Sequence, residues 1–185
     1  ENTSLNHQLI GDRFLSLGDI EQALTAFEQS VELDPNNGVA WALMALATYK
    51  ELTNQYKELH TALARSDFTG FIENPIDAEE YWINERVEET SNDASNSRKR
   101  FVDAAIQGLQ HWPEWDNVPR TLSDGTKKPN YHYHLNQSRN TSVELTRDKL
   151  FLLLLRHIEH EDFIQRSDVC VEILRSFQHW NPQIN

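Results

Sequence analysis

Residues 4–37 read SLNHQLIGDRFLSLGDIEQALTAFEQSVELDPNN. Ile10, Phe14 and Leu17 recur at helical spacing. Gly18-Asp19 interrupts them, and Ala23, Leu24, Phe27 and Val31 form a second run that Asp34-Pro35-Asn36-Asn37 ends. This is the pattern of helix, short turn, helix. Gly11 on the first helix and Ala23 on the second lack bulk, so the two axes can approach closely, with Phe14 and Phe27 filling the space beside the contact. Pro35 cannot continue the second helix, because its ring replaces the N–H that a helix needs.

The stretch resembles a tetratricopeptide repeat, a helix-turn-helix unit of about 34 residues. Gly11, Phe14, Ala23, Phe27 and Pro35 stand at the motif's small, aromatic, alanine, phenylalanine and proline positions, and Ile10 at its leucine position. His7 replaces the usual tryptophan and Ser30 the second alanine. The match covers about a fifth of the chain. Residues 38–66 repeat the pattern in degenerate form: Trp41 at the tryptophan position, then Met44, Ala45 and Tyr49, then a run through Tyr56, Leu59, Ala62 and Leu63. Arg100 to Pro113 echoes Asp168 to Pro182, with Gln-His-Trp identical in both at an offset of 68 residues.

The resemblance implies an all-α fold of stacked antiparallel helix pairs, a tetratricopeptide-like α–α superhelix in one domain spanning 1–185. The expected pairs are about 4–33, 38–66, 76–111 and 142–180, with breaks near 53–54, along the polar Thr90 to Ser97, and at Glu161-Asp162. Such hairpins cannot bury their apolar faces alone, and stacking supplies the missing surface. The residues expected to make that packing are Ile10, Gly11, Phe14, Ala23, Phe27, Pro35, Trp41 and Ala45.

Residues 113–141, PEWDNVPRTLSDGTKKPNYHYHLNQSRNT, fit no helix. Asp124-Gly125 is a hairpin-turn signal. Thr121 to Lys128 and Tyr131 to Leu135 are expected to form a small β-hairpin. Long loops in compact domains are usually functional or disordered, and disordered ones are poor in aromatics. This one holds Trp115, Tyr131 and Tyr133, with Trp112 at its edge and Arg120, Lys127 and Lys128 adding charge. Those seven residues are the candidate partner-binding set, since aromatics give large contact area at low entropic cost. The competing reading is that the aromatics pin the loop to the helices.

Charge narrows the partner. The chain carries a formal −12, but residues 1–97 hold 5 Lys/Arg against 18 Asp/Glu, residues 98–150 hold 9 against 6, and residues 151–185 hold 3 against 5. An acidic N-terminal half repels phosphate backbones and anionic lipid, which argues against general nucleic-acid binding. The basic middle leaves room for a local anion site. The longest aliphatic run, Leu150 to Leu155, is far too short to span a bilayer. One cysteine, Cys170, excludes an internal disulfide and any cysteine zinc cluster, and its apolar helical setting suits a buried thiol. No signal peptide is visible, and because the chain opens at Glu1 without Met, a preceding segment is expected. A cytoplasmic setting is favoured, though no motif names a compartment.

Chemistry is sparse. His132 and His134 on a strand, or His157 and His160 one helical turn apart, are candidate metal ligands, but neither pair is specific alone. Glu79-Glu80 and Glu88-Glu89 are adjacent and so point to different sides of a helix. No phosphate loop, nucleophile elbow or dinucleotide fingerprint is present. The expectation is therefore a protein-interaction module and not an enzyme, with no cofactor, binding a peptide or protein segment in a groove and through the aromatic insertion. Tetratricopeptide-like arrays generally bind such segments along their first helices, and one subgroup clamps C-terminal carboxylates with cations there. Here the first helix offers only Arg13, so that clamp looks absent and a basic or amphipathic partner fits better. Two alternatives stand beside it: a regulatory or substrate-presenting domain of a larger enzyme, and self-association through the exposed end of the stack.

Overall fold

Thr3 and Asp19 set the first two helices. In the computed structural model, α1 spans Ser4–Leu17, and the Thr3 hydroxyl accepts from the Asn6 N–H at 3.3 Å. Gly18 ends α1 in the left-handed region at φ 83°, its N–H bonding to the Leu15 carbonyl and that of Asp19 to Phe14. This Schellman arrangement satisfies the last carbonyls of the helix. The same Asp19 caps α2, Ile20–Leu33, by accepting from the Gln22 N–H at 3.2 Å. A two-residue turn thus reverses the chain, as the sequence leads one to expect.

The structure describes the backbone of residues 3–69, 77–113, 120–121, 123–125, 127–128, 133–138, 141–145, 147–159 and 164–180, and the side chains among them at 3–61, 88–113, 123–125, 147, 149–159, 164–173 and 175. After α2 come α3, Gly38–Thr69, and α4, Asp77–Gln110. Two small antiparallel ribbons follow. In the first, β1, Arg120–Thr121, pairs with β2, Lys127–Lys128; in the second, β3, Tyr133–Ser138, pairs with β4, Thr141–Leu145. The described chain ends with α5, Arg147–His157, and α6, Ser167–Trp180. The fold is predominantly α-helical, and each of the first five helices lies against its chain neighbour, with α6 returning to α4.

Four expectations change. The break near 53–54 does not form: the segment has no Gly or Pro, Leu52, Gln55 and Leu59 share one inward face, and the Thr53 hydroxyl bonds the Tyr49 carbonyl inside the helix at 2.8 Å. The polar stretch Thr90 to Ser97 does not break α4 either. Thr90, Ala94 and Ser97 recur along one buried face, and Ser97 donates to the Glu51 carboxylate of α3 at 2.9 Å. Tertiary packing overrides weak helix propensity there. The two expected pairs at 38–66 and 76–111 are therefore a single long antiparallel hairpin. The helix expected from 142 instead begins as β4, and α5 starts only at Arg147. The insertion holds two ribbons where one hairpin was expected, the first turning at Asp124-Gly125, where Gly125 has φ 81°.

Small residues let these helices touch. A Cβ on Gly11 would stand 2.5 Å from Cε1 of the Phe27 ring, and one on Gly108 of α4 would stand 3.0 Å from the backbone N of Ala42. At Gly38 an added Cβ would overlap the His111 carbonyl, where the start of α3 meets the end of α4. From Ala42 to Thr48 every residue of α3 is buried, the mark of a helix enclosed on all sides. The core gathers there: Ala42 to Ala47 of α3, Phe101, Val102, Ala105, Ile106 and Leu109 of α4, Leu24 and Phe27 of α2, and Leu150 and Leu154 of α5. Gly38→Ala is therefore expected to cost about 3 kcal/mol, through overpacking against unyielding backbone. Gly18→Ala should cost only about 1 kcal/mol, for the left-handed backbone alone. Urea denaturation of the two variants measures the difference, and equal midpoints would contradict the close approach.

Candidate functional site

The first helix has two unlike sides. On one, Gly11 meets Phe27, Leu15 is buried, and a polar network ties α1 to its neighbours. Ser30 of α2 donates to the Ser4 carbonyl at 2.8 Å. The Asn37 amide nitrogen donates to the Ser4 hydroxyl and to Gln8 Oε1, both at 3.0 Å, while its oxygen caps α3 at the Ala40 N–H, also 3.0 Å. On the other side Leu5, Leu9, Ile10 and Leu17 stand in solvent, 59, 55, 47 and 67% exposed. Four large apolar side chains on one 14-residue helix form the strongest candidate surface among the described residues.

The next unit shows what such positions look like when covered. The helices α1 and α3 start at Ser4 and Gly38, 34 residues apart, and their caps Thr3 and Asn37 keep the same interval. At that interval Leu9 corresponds to Leu43 and Ile10 to Met44, which are only 2 and 9% exposed. α3 has α2 beside it, with α4 on a further side, whereas the main neighbours of α1 are α2 and α3. Ile10 was expected to pack within the stack; it is instead 47% exposed. Gly11, Ala23, Phe27 and Ala45 are buried, Phe14 and Trp41 are half-buried against the core, and Trp41 Nε1 donates to the Pro35 carbonyl at 2.9 Å. Pro35 itself is exposed.

The N-terminal stretch of sequence that carries the bare face is acidic. Arg13 is the only Lys or Arg before Lys50, whereas Asp12, Asp19, Glu21, Glu28, Glu32 and Asp34 all precede it. The basic middle of the chain meets part of this charge directly, at Glu28. Arg100 pairs with Glu28 at 3.1 Å and Glu51 at 3.6 Å, Arg98 with Glu159 at 2.6 Å, and Asp103 of the same helix meets Arg166.

The other candidates divide. Trp112 is buried in the core, 6% exposed, so it packs the end of α4 and is not presented to a partner. Arg120, Lys127, Lys128 and Tyr133 fall on strands β1, β2 and β3, where Arg120 is opposite Lys128 and Thr121 opposite Lys127. Trp115 and Tyr131 lie outside the described residues. Of the metal candidates, His132 and His160 also lie outside them, and His134 falls on β3. His157 is taken up by packing: Nδ1 is 2.8 Å from the Leu153 carbonyl, and the ring meets Tyr49 and Phe101 edge-on at 5.5 Å each. Among the described residues no group of three or more His, Cys, Asp or Glu is placed to hold a metal ion, and no described helix is long and apolar enough to cross a membrane. Sequence reasoning passed over Leu5 and Leu9; the signal was two leucines one turn apart, off the stripe set by Ile10, Phe14 and Leu17.

The fold is that of a predominantly α-helical protein. No family model, no curated protein and no solved structure matches the chain.

Two expectations follow. Trp112→Ala should lower stability by about 4 kcal/mol, as for a large core truncation; unchanged thermal denaturation would mean that the ring is not core. Burial pushes the Cys170 thiol above its ordinary value, and Arg166 partly counters this. The folded chain then keeps the proton where the unfolded thiol has lost it. The stabilisation is complete below the ordinary thiol range and is lost as pH rises through and above it. Iodoacetamide should alkylate Cys170 roughly tenfold more slowly in the folded chain than in urea; equal rates would contradict its burial.

Proposed function

We propose that this chain is a tetratricopeptide-like interaction scaffold, not an enzyme, and that it holds a basic, amphipathic segment of another protein. The observation that carries this reading is the four exposed aliphatic side chains of α1, in a stretch of chain whose only cation before Lys50 is Arg13. Exposed apolar patches rimmed by polar residues mark interaction surfaces. The surrounding carboxylates would steer and select a cationic partner more than they would tighten its hold. The 34-residue interval between the starts of α1 and α3, the Gly11–Phe27 contact and Pro35 after α2 support the repeat-like part of the reading.

Binding of fluorescein-labelled peptides, measured by anisotropy, tests it. Each peptide in the set has the same leucine spacing and a charge of either sign. Basic peptides should bind and acidic ones should not, and affinity should fall roughly tenfold between low and high salt as exposed charges are screened. Binding indifferent to both peptide charge and salt would overturn the reading.

A further inference from the structure

Within the scaffold reading, on which this inference rests, the molecule itself supplies a pattern for what covers α1. On α3, the positions 34 residues after Leu9 and Ile10 are closed off in a stack where α2, an amphipathic helix with an apolar face of Leu24, Phe27 and Val31, lies alongside. We propose that α1 is the receiving helix for an amphipathic α-helix of a partner protein, which covers Leu5, Leu9, Ile10 and Leu17.

Three physical points select that occupant. A helix satisfies its own interior backbone groups, so α1 offers a partner side chains only. An incoming β-strand would find no ladder to join, whereas a helix can set its ridges into the grooves of α1. Leu5 and Leu9 are one turn apart, and Ile10 and Leu17 two turns apart, which is the spacing an apolar helical face reads. A second copy docking α1 against α1 would bring two stretches together that each hold one cation among six carboxylate residues from Asp12 to Asp34, and like charges would oppose it. A partner helix with Lys and Arg flanking its apolar face meets that charge favourably. Arg13, alone on α1, favours a polar or acidic residue opposite it.

The test uses the full chain and a defined probe: a stapled helical peptide copying residues 20–33 with Glu21→Lys, Glu28→Lys and Glu32→Lys, labelled with fluorescein. Controls are the same peptide scrambled and an unstapled basic peptide that stays unstructured. The stapled helix should bind and its scrambled form should not. Leu9→Lys and Ile10→Lys should each weaken binding roughly tenfold, the share expected of a half-exposed aliphatic side chain losing its burial. Both sites are exposed, and circular dichroism should confirm unchanged helicity. Binding by both variants as tight as that of the unsubstituted chain would overturn the placement on α1. Binding of the unstructured basic peptide alone would overturn the helical occupant while leaving the scaffold reading standing. Failure of every peptide would end both. A dimeric solution mass that Leu9→Lys converts to monomer would assign the face to a second copy instead.

Discussion

Close approach of helix axes is the constraint on which the rest of this structure depends. A helix enclosed on all sides, as α3 is from Ala42 to Thr48, needs neighbours near enough to exclude water, and the neighbours come that near only where side chains are small. Gly11 admits the Phe27 ring, Gly108 admits the Ala42 backbone, and Gly38 admits the end of α4. Ala45, Ala47, Ala104 and Ala105 continue the same principle within the core, where Leu43, Leu46, Phe101 and Leu109 supply the apolar bulk. Remove that economy of size and the hairpin α3–α4 could not close on itself or receive α1 and α2.

Around this core, polar contacts fix orientation more than they add stability. Arg100 joins α4 to carboxylates of both α2 and α3, but it is substantially exposed, and pairs of that kind contribute little in water. The half-buried arrangement at Ser4, Ser30 and Asn37 carries more specificity, because each member is satisfied only in one register of α1 against α2 and α3. Farther along, Tyr49, Phe101 and His157 bring α3, α4 and α5 together through their ring edges. Held in this way, α1 is fixed on its inner side at several points, while Leu5, Leu9, Ile10 and Leu17 remain exposed on its outer side.

The sequence shows the first hairpin nearly residue by residue, because caps, turn and small residues there are local signals that agree with one another. Thr3, Gly18, Asp19 and Pro35 need no distant partner to act. The middle of the chain was misread for the opposite reason. Thr90 to Ser97 is polar and poor in helix formers, and only the presence of α3, with Glu51 waiting for Ser97, makes it helical. Trp112 likewise looked like an anchor for a partner because an aromatic beside a loop has two equally good uses, and the choice between them depends on what is packed against it. The bare face of α1 was legible in part: Ile10 was recognised as apolar, but that it lacks a cover is a fact about neighbours and not about the residue.

Asn37 is followed by Gly38, the dipeptide in which an asparagine amide is most readily lost, because the glycine nitrogen can reach the side-chain carbonyl carbon with little steric hindrance. In the folded chain that nitrogen is bonded to the Asn36 carbonyl, and the amide is engaged by Ser4, Gln8 and the start of α3. An aspartate formed there during unfolding or long storage would still accept from Ala40 and cap its helix. It would have no hydrogen to give Ser4 or Gln8, so chemical ageing would loosen α1 while leaving the α3–α4 hairpin whole.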